Sequence, residues 1–475
     1  MAEIIVLGGG ICGLAAGTLL ARDGHEVTLL ERDPAPVPAT PEEAWENWER
    51  DGVSQFRLAH YLHLRGSHVI GSELPDVQEA LLAADAARVD VIGRLAAVLP
   101  HLDPEPGDAR LATHTARRTT LEQIFGKTAD AEPRLEVRRG VTVESLLTGP
   151  GVDGVPHVTG VRTAEGEELH ADLLVDAMGR RSMLPRWLEQ IGCEPIHEEA
   201  EDSGFIYYGR FFKSSTGEVP AAIGPLLTPI GSFSVLTLPS DADTWSVTAF
   251  IAAGDRPLKA LRHEDVFMSV IRACPLQAPW LEGEPITEIV SMGGVLDRYR
   301  RFVNGGRPVA TGVAAVADAW ACTNPSLGRG ISLGLAHAML LRDVVRSELE
   351  DPLEFAEAWD EATERELTPW YRNTIAIDRA RIAEIEAIRN GLEPPGPATF
   401  EAGLAVSLFR VMPFDAELLR AGLEMIGCLA LPEEVFARPG IVDKVMALAE
   451  ANPPQPVPGP TREELLRLVA QPAGA

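Results

Sequence analysis

Four residues near the start of the chain, Gly8, Gly10, Gly13 and Glu31, have the types and the spacing to hold a dinucleotide. The apolar run from Ile4 to Leu7 reads as a strand buried on both faces, because such a strand has no reason to alternate. It leads directly into G-x-G-x-x-G, with Gly17 one helical turn further on. Gly8 permits a tight turn, Gly10 lets backbone approach a pyrophosphate, and Gly13 and Gly17 let the next helix lie close on the sheet. The N-terminus of that helix offers unpaired N–H groups and a partial positive charge to phosphates. A second strand, Glu26 to Leu30, ends at Glu31, whose carboxylate is placed to accept from both hydroxyls of an adenosine ribose. A ribose with free hydroxyls means FAD or NAD at this site rather than NADP.

Other chemistries find less support. The five cysteines, Cys12, Cys193, Cys274, Cys322 and Cys428, are scattered without paired spacing, so reduced, mostly buried thiols are expected. His60 and His63 stand at i, i+3 and could share a helix face, but they lack a third ligand, so no metal is expected. In the same stretch Gln55, Arg57 and His60 are candidates to line a cofactor or substrate cleft; a hydrogen-bonded structural loop is the plainer alternative. Arg117 and Arg118 open a helix running to Phe125 and either reach a phosphate or decorate a solvated helix end. No Ser-His-Asp or paired-carboxylate arrangement is visible.

The chain that must position these groups has 475 residues, enough for two or three domains with real cores. It carries 70 acidic against 42 basic side chains, a net charge of −28, which disfavours nucleic acid and speaks for solubility. No apolar run approaches the ~18 residues of a membrane span, and the start lacks a basic leader, so a cytoplasmic protein is expected. Trp45 to Asp51 reads as a short helix. A buried strand, Leu173 to Val175, ends at Asp176. Beyond Ser182 the pattern becomes β-rich: Phe205 to Phe212 alternates, with Phe205, Tyr207 and Phe211 on one face and Ile206, Tyr208, Arg210 and Phe212 on the other. A strand from Val309 to Val313, the acid Asp318, the loop Pro325, Gly328, Gly330 and an Ala/Leu-rich helix follow. One long helical segment is expected from Leu353 to Asn390, others near 398–428 and 432–451, and a last one from Arg462 to Leu468.

Three stretches together resemble the FAD-dependent monooxygenases of the para-hydroxybenzoate hydroxylase fold: the glycine-rich start with Glu31-Arg32, the strand ending in Asp176-Ala-Met-Gly179-Arg-Arg-Ser182, and Ala317-Asp318 followed by Pro325-x-x-Gly328-x-Gly330. The likeness covers about residues 1–345. The loop from Gln55 to Gly66 and the segment TPWYRNTIAIDRARIAE are similar to a bacterial branch of FAD-dependent oxidoreductases. The resemblance implies an α/β protein: a glutathione-reductase-like FAD-binding Rossmann domain (1–182 and 301–345), an inserted, mostly antiparallel β-sheet substrate domain (183–300, to which 76–100 could belong), and a helical C-terminal region (346–475).

It also implies roles. Gly8, Gly10 and Gly13 would hold the pyrophosphate, with Glu31 and Arg32 on the adenosine. Arg118, in R-x-x-L-E, would contact the cofactor, and the backbone of Val143 would meet adenine. Asp318 would bind the ribityl hydroxyls, and Pro325, Gly328, Gly330 and Ile331 would turn N–H groups toward the flavin ring. The family's usual glycine before that aspartate is Ala317 here, its common asparagine after the loop is Ser332, and the middle Asp-Gly reads Asp176-Ala177. Because the family links the middle motif to both FAD and NAD(P)H, NADH or NADPH would donate electrons either directly or through a separate flavin reductase. The implied reaction transfers one oxygen atom, through a flavin C4a-hydroperoxide, to a hydrophobic or aromatic small molecule of secondary metabolism. His60, Tyr208 and Arg210 are the substrate-side candidates, and a homodimer is conceivable. The alternative is a geranylgeranyl-reductase-like FAD enzyme acting on a carbon–carbon bond; a halogenase lacks support because no Trp-x-Trp-x-Ile-Pro stretch occurs.

Overall fold

The computed structural model describes residues 1–470 apart from 98, 100, 101 and 223. The end of the helical region, 471–475, and parts of 76–100 therefore lie outside the described residues. A five-stranded parallel sheet forms the base of the molecule. Its strands are β1 (Glu3–Leu7), β2 (Glu26–Glu31), β3 (Leu135–Arg139), β4 (Leu173–Asp176) and β9 (Val313–Ala315), in the order β9-β4-β1-β2-β3. The apolar runs are there because helices cover the sheet: Ile4, Val6 and Leu29 pack among residues of α1 (Ile11–Arg22), α3 (Arg118–Ala131) and α5 (Gly330–Glu348). The strands end together, Leu7 beside Asp176 and Asp176 beside Ala315, so the acids and turns of the carboxyl ends face one crevice.

A second, antiparallel sheet is built from Leu227–Ile230, β6 (Phe233–Pro239), β7 (Thr244–Ala252) and β5 (Phe205–Lys213), with Val290–Gly293 also paired to β5. The alternation of β5 is observed. Tyr208 and Phe212 pack outward with Phe267, Val270 and Ile271 of α4 (Glu264–Arg272) and Leu465 of the last helix. Phe205 and Tyr207 pack inward with Phe250 and Ile385. A third, smaller sheet joins His197–Asp202, β8 (Leu296–Arg301) and Ala321–Cys322.

Several boundaries differ from the sequence reading. The first short helix is Pro41–Asn47, capped by the Thr40 side chain, which accepts from Glu43 N–H, so it begins before Trp45. The strand expected from Val309 starts only at Val313, because Gly312 has φ +72° and breaks it. The long helix divides at Leu367 into α6 (Pro352–Glu366) and α7 (Thr368–Arg389), with Pro369 early in the second. Gly440, at φ +80°, splits 432–451 into Pro432–Phe436 and Ile441–Ala451. Among the described residues no helix is long and apolar enough to cross a membrane.

Candidate functional site

The glycine turn between β1 and α1 has no room for side chains. Gly8 has φ +105°, and a Cβ on Gly13 would lie 2.0 Å from the Gly8 carbonyl oxygen. A Cβ on Gly10, in contrast, would meet nothing within 4 Å. Gly10 is the N-cap of α1 and makes no side-chain cap, so the first N–H groups of the helix face open space. Glu31 sits beside this turn: its Oε2 accepts from Gly9 N–H (2.7 Å) and Arg50 Nη2 (2.9 Å), and its Oε1 from Asp33 N–H (2.8 Å). A carboxylate has about four acceptor positions, so this arrangement leaves Glu31 room for one ribose hydroxyl rather than two. Arg32 lies against Gly52 instead. Val143 opens the strand Val143–Thr148, two residues after Val141, whose N–H donates to the Glu31 carbonyl (3.0 Å).

Arg50 did not stand out in the sequence, where it is one charge in a charged stretch. Its guanidinium, nearly buried, reaches Glu31, Asp33 (3.2 Å), Glu122 (2.7 Å) and the Gly9 carbonyl (3.0 Å). Glu122 also holds Arg118 (2.7 Å). One fully buried carboxylate thus fixes two guanidinium groups at the mouth of the glycine turn, where a diphosphate needs cations. Arg117 points elsewhere. It forms a buried ion pair with Asp241, which also accepts from Thr120 Oγ1 (2.7 Å), and so ties α3 to the antiparallel sheet.

The early loop separates into working and structural residues. Arg57 donates to the carbonyls of Trp45 and Trp48, stacks on Trp45, and serves the loop itself. The Gln55 side chain accepts from Ser54 Oγ (3.2 Å), and its carbonyl accepts from Leu58 N–H (3.0 Å). His60 faces the site: its Nδ1 lies 2.9 Å from the Leu58 carbonyl and its Nε2 3.3 Å from Arg118 Nη1. Both contacts are met by one neutral tautomer, with Nδ1–H donating and Nε2 accepting. Burial first, then the Arg118 charge, pushes its pKa down to about 3. His63 does not share a helix face with it; His63 is the N-cap residue of α2 (Leu64–Glu73), and its Nε2 contacts the Leu327 carbonyl (2.7 Å).

The second half of the site is the turn from Asp318 to α5. Burial pushes the Asp318 carboxyl up, opposed by Arg118 and Arg180. Ala317 has φ +51°, a left-handed conformation that explains why a glycine suits this position, and its N–H is held by His337 Nδ1 (3.1 Å). Pro325–Leu327 form a 3-10 turn ended by Gly328 at φ +66°. A Cβ on Gly330 would meet nothing within 4 Å, and α5, like α1, starts without a side-chain cap. The Ile331 side chain drops into the core. Ser332 Oγ accepts from His63 N–H (2.8 Å), and a Cβ on Gly66 would lie 2.7 Å from that same oxygen.

The inner face of β5 closes the site. The Tyr207 O–H donates to Asn324 Oδ1 (2.7 Å), Leu58 lies over Gly209, and Trp45 meets Phe211 edge-on at 5.2 Å. Tyr208 and Arg210 are on the other face: Arg210 donates to the Thr287 carbonyl and pairs with Glu264, both at 2.7 Å. The structure brings His60 to Arg118 but does not bring these two. Tyr207 lies on the inner face instead. Its signal was the alternation itself, which leaves open which face turns inward.

Residues 6–66 match the model of the NAD(P)-binding Rossmann-like domain family. The solved structure of PqsL, "a probable FAD-dependent monooxygenase from Pseudomonas aeruginosa", superposes with a TM-score of 0.57 at 18% identity, over 81% of this chain and 99% of that one. The chain has the fold of the FAD-dependent monooxygenases. In sequence it is 26% identical over 362 residues to Protein Rv3254 of Mycobacterium tuberculosis, over 72% of this chain and 73% of that protein. It is 22% identical over 347 residues to squalene monooxygenase of Mus musculus, over 72% of this chain and 54% of that protein, so it spans about half the length of that relative. Within this fold, the two uncapped helix starts, the paired guanidinium groups and the buried Asp318 fit a flavin dinucleotide. At both helix starts a Cβ on the glycine would meet nothing within 4 Å, and no side chain caps the helix.

Proposed function

We propose that the chain is an FAD-dependent oxidoreductase, a monooxygenase that places one oxygen atom on a hydrophobic or aromatic small molecule. The observation that carries this reading is the pair of uncapped helix N-termini, at Gly10 and Gly330, both opening onto clear space with Arg118 and Asp318 at the same crevice. The first suits a pyrophosphate and the second suits negative charge on a reduced flavin ring. When bound, FAD supplies the oxygen chemistry itself, after reduction by NADH or NADPH, directly or through a flavin reductase.

The protein's share is placement. Gly8, Gly10 and Gly13 with Arg50 and Arg118 hold the diphosphate, Glu31 takes a ribose hydroxyl, and Asp318 takes ribityl hydroxyls. His60, neutral with a fixed tautomer, keeps Arg118 oriented and presents no proton-donating cation to the substrate. Tyr207, Phe211, Trp45 and Leu58 present an aromatic and apolar wall, which suits an apolar or aromatic substrate and keeps water from the reacting atoms.

The test is an anaerobic spectrum of purified protein before and after NADH or NADPH, with FAD identified after denaturation, followed by oxygen uptake with candidate substrates. Flavin bleaching and a product heavier by one oxygen are expected. A product changed by two hydrogens, with no oxygen consumed, would replace the monooxygenase by a reductase. Protein that stays colourless after FAD addition would end both.

A further inference from the structure

The loop that starts α5 is held by a helix that lies outside the three matched motifs. Along one side of α7, Trp370, Asn373, Thr374 and Asp378 all meet it. Asp378 accepts twice from the first half of the turn: from Ser326 Oγ on Oδ1 (2.5 Å) and from Asn324 Nδ2 on Oδ2 (3.1 Å). Asn324 is held from three sides, because its Oδ1 also accepts from Tyr207 and its backbone N–H donates to Asp297 (2.5 Å). At the other end Arg329 donates to Asn373 (2.8 Å) and Thr374 (3.0 Å) and lies over the Trp370 ring.

Asp378 is only 4% exposed, and among the described residues no basic group pairs with it directly, the Arg329 charge acting on it only at longer range. An unpaired carboxylate is expensive to bury, and packing alone would favour an apolar side chain there. What the carboxylate does that an apolar group cannot is accept two hydrogen bonds from one short turn. The turn sets the direction of the first N–H groups of α5.

We propose that Asp378 is a positioning residue: from the C-terminal helical region it clamps the segment 324–329 and so aims the N-terminus of α5 at the flavin ring. Its action on flavin rests on the function proposed above; its action on the loop does not. Tyr207 joins the substrate wall to the same clamp through Asn324, so a group seated against Tyr207 is coupled to the loop by two hydrogen bonds.

The experiment uses the full-length protein and the variants D378A, D378N and S326A. Hydrogen exchange of flavin-free protein over residues 324–331 reads the clamp; FAD titration and the visible circular dichroism of bound flavin read its consequence. D378A should raise exchange in this segment at least tenfold, weaken FAD at least tenfold and change the flavin dichroism. D378N, which keeps one acceptor, should fall between, and S326A should show a three- to tenfold effect even if D378A fails to fold. Unchanged exchange in D378A or S326A overturns the clamp. Raised exchange with unchanged FAD affinity and dichroism overturns the aiming role. A wild-type protein that does not take up FAD overturns the flavin reading and the aiming role, while exchange still decides the clamp.

Discussion

At the start of α1, the contacts that shape the turn come mostly from residues 8–31, with Ala177 just past the adjoining strand and Arg50 on the Gly9 carbonyl added from outside. At the start of α5, they come from His63, Tyr207, Asp297, Asn373, Thr374 and Asp378, spread across almost the whole chain. The two ends present the same thing, unpaired N–H groups facing open space, and reach it differently. A glycine turn does it by sterics: only one backbone path fits. The α5 loop does it by hydrogen bonds, each replaceable in part. The first should therefore fail all at once and the second by degrees.

The largest effect is expected at Gly13. Gly13→Val puts a side chain into the Gly8 carbonyl and should destabilise by about 3 kcal/mol or more, with no FAD retained on gel filtration. A variant that keeps yellow colour would show that the turn can yield. His63→Ala leaves the Leu327 carbonyl without its ring partner, a loss of roughly 2 kcal/mol. Denaturant unfolding should show that loss while FAD still binds, more weakly. Complete loss of binding would erase the contrast between the two ends.

Acid tests the same contrast through buried groups. Burial lowers the pKa of His60, His63 and His337 to about 3, 4 and 3, so their stabilisation is present above the unfolded value of ~6.5 and is lost as pH falls below it. Burial raises Asp176, Asp297 and Asp378 to about 6. Their contribution runs the other way, full below ~3.8 and lost as pH rises through 6. The two sets oppose each other between pH 6 and 4, where the sum of these six contributions should be nearly flat. Below 4 the histidines still titrate, joined by carboxylates such as Glu199, which the Arg372 guanidinium pulls down to about 2, and stability should fall. A steep loss already between pH 6 and 5 would count against the buried carboxyls. The smallest effect is at Ala317: glycine there relieves the left-handed strain and should add up to about 1 kcal/mol, read as a higher Tm. A lower Tm would mean the methyl contributes more by packing than it strains.

How far the sequence could be read follows from the same difference. Gly8, Gly10, Gly13 and Glu31 interact with near neighbours, so spacing alone located the turn and its acid. Arg50 was missed because its three carboxylate partners, Glu31, Asp33 and Glu122, come together only in the fold. Arg117 and Arg118 are adjacent and chemically identical; which one turns to the crevice depends on Asp241, in the turn between β6 and β7. Tyr207 and Tyr208 pose the same problem on a strand: period two separates their faces, and only the position of Asn324 against that of α4 says which face is inside. The helical break at Leu367, by comparison, had a local sign in Pro369 that the apolar periodicity outweighed.

Gly66 and Ser332 show what such distant pairing means for change over time. With an oxygen of Ser332 already inside the space a Gly66 side chain would need, the two positions share one small volume. Neither can grow unless α2 and α5 move apart, and that movement would draw His63 away from the loop it supports. A graft of an asparagine into position 332 thus brings an obligation elsewhere: its effect depends on a loop 56–66 taken from the same donor. Residues far apart in the chain here fill one volume, and enlarging either one requires a change in the other.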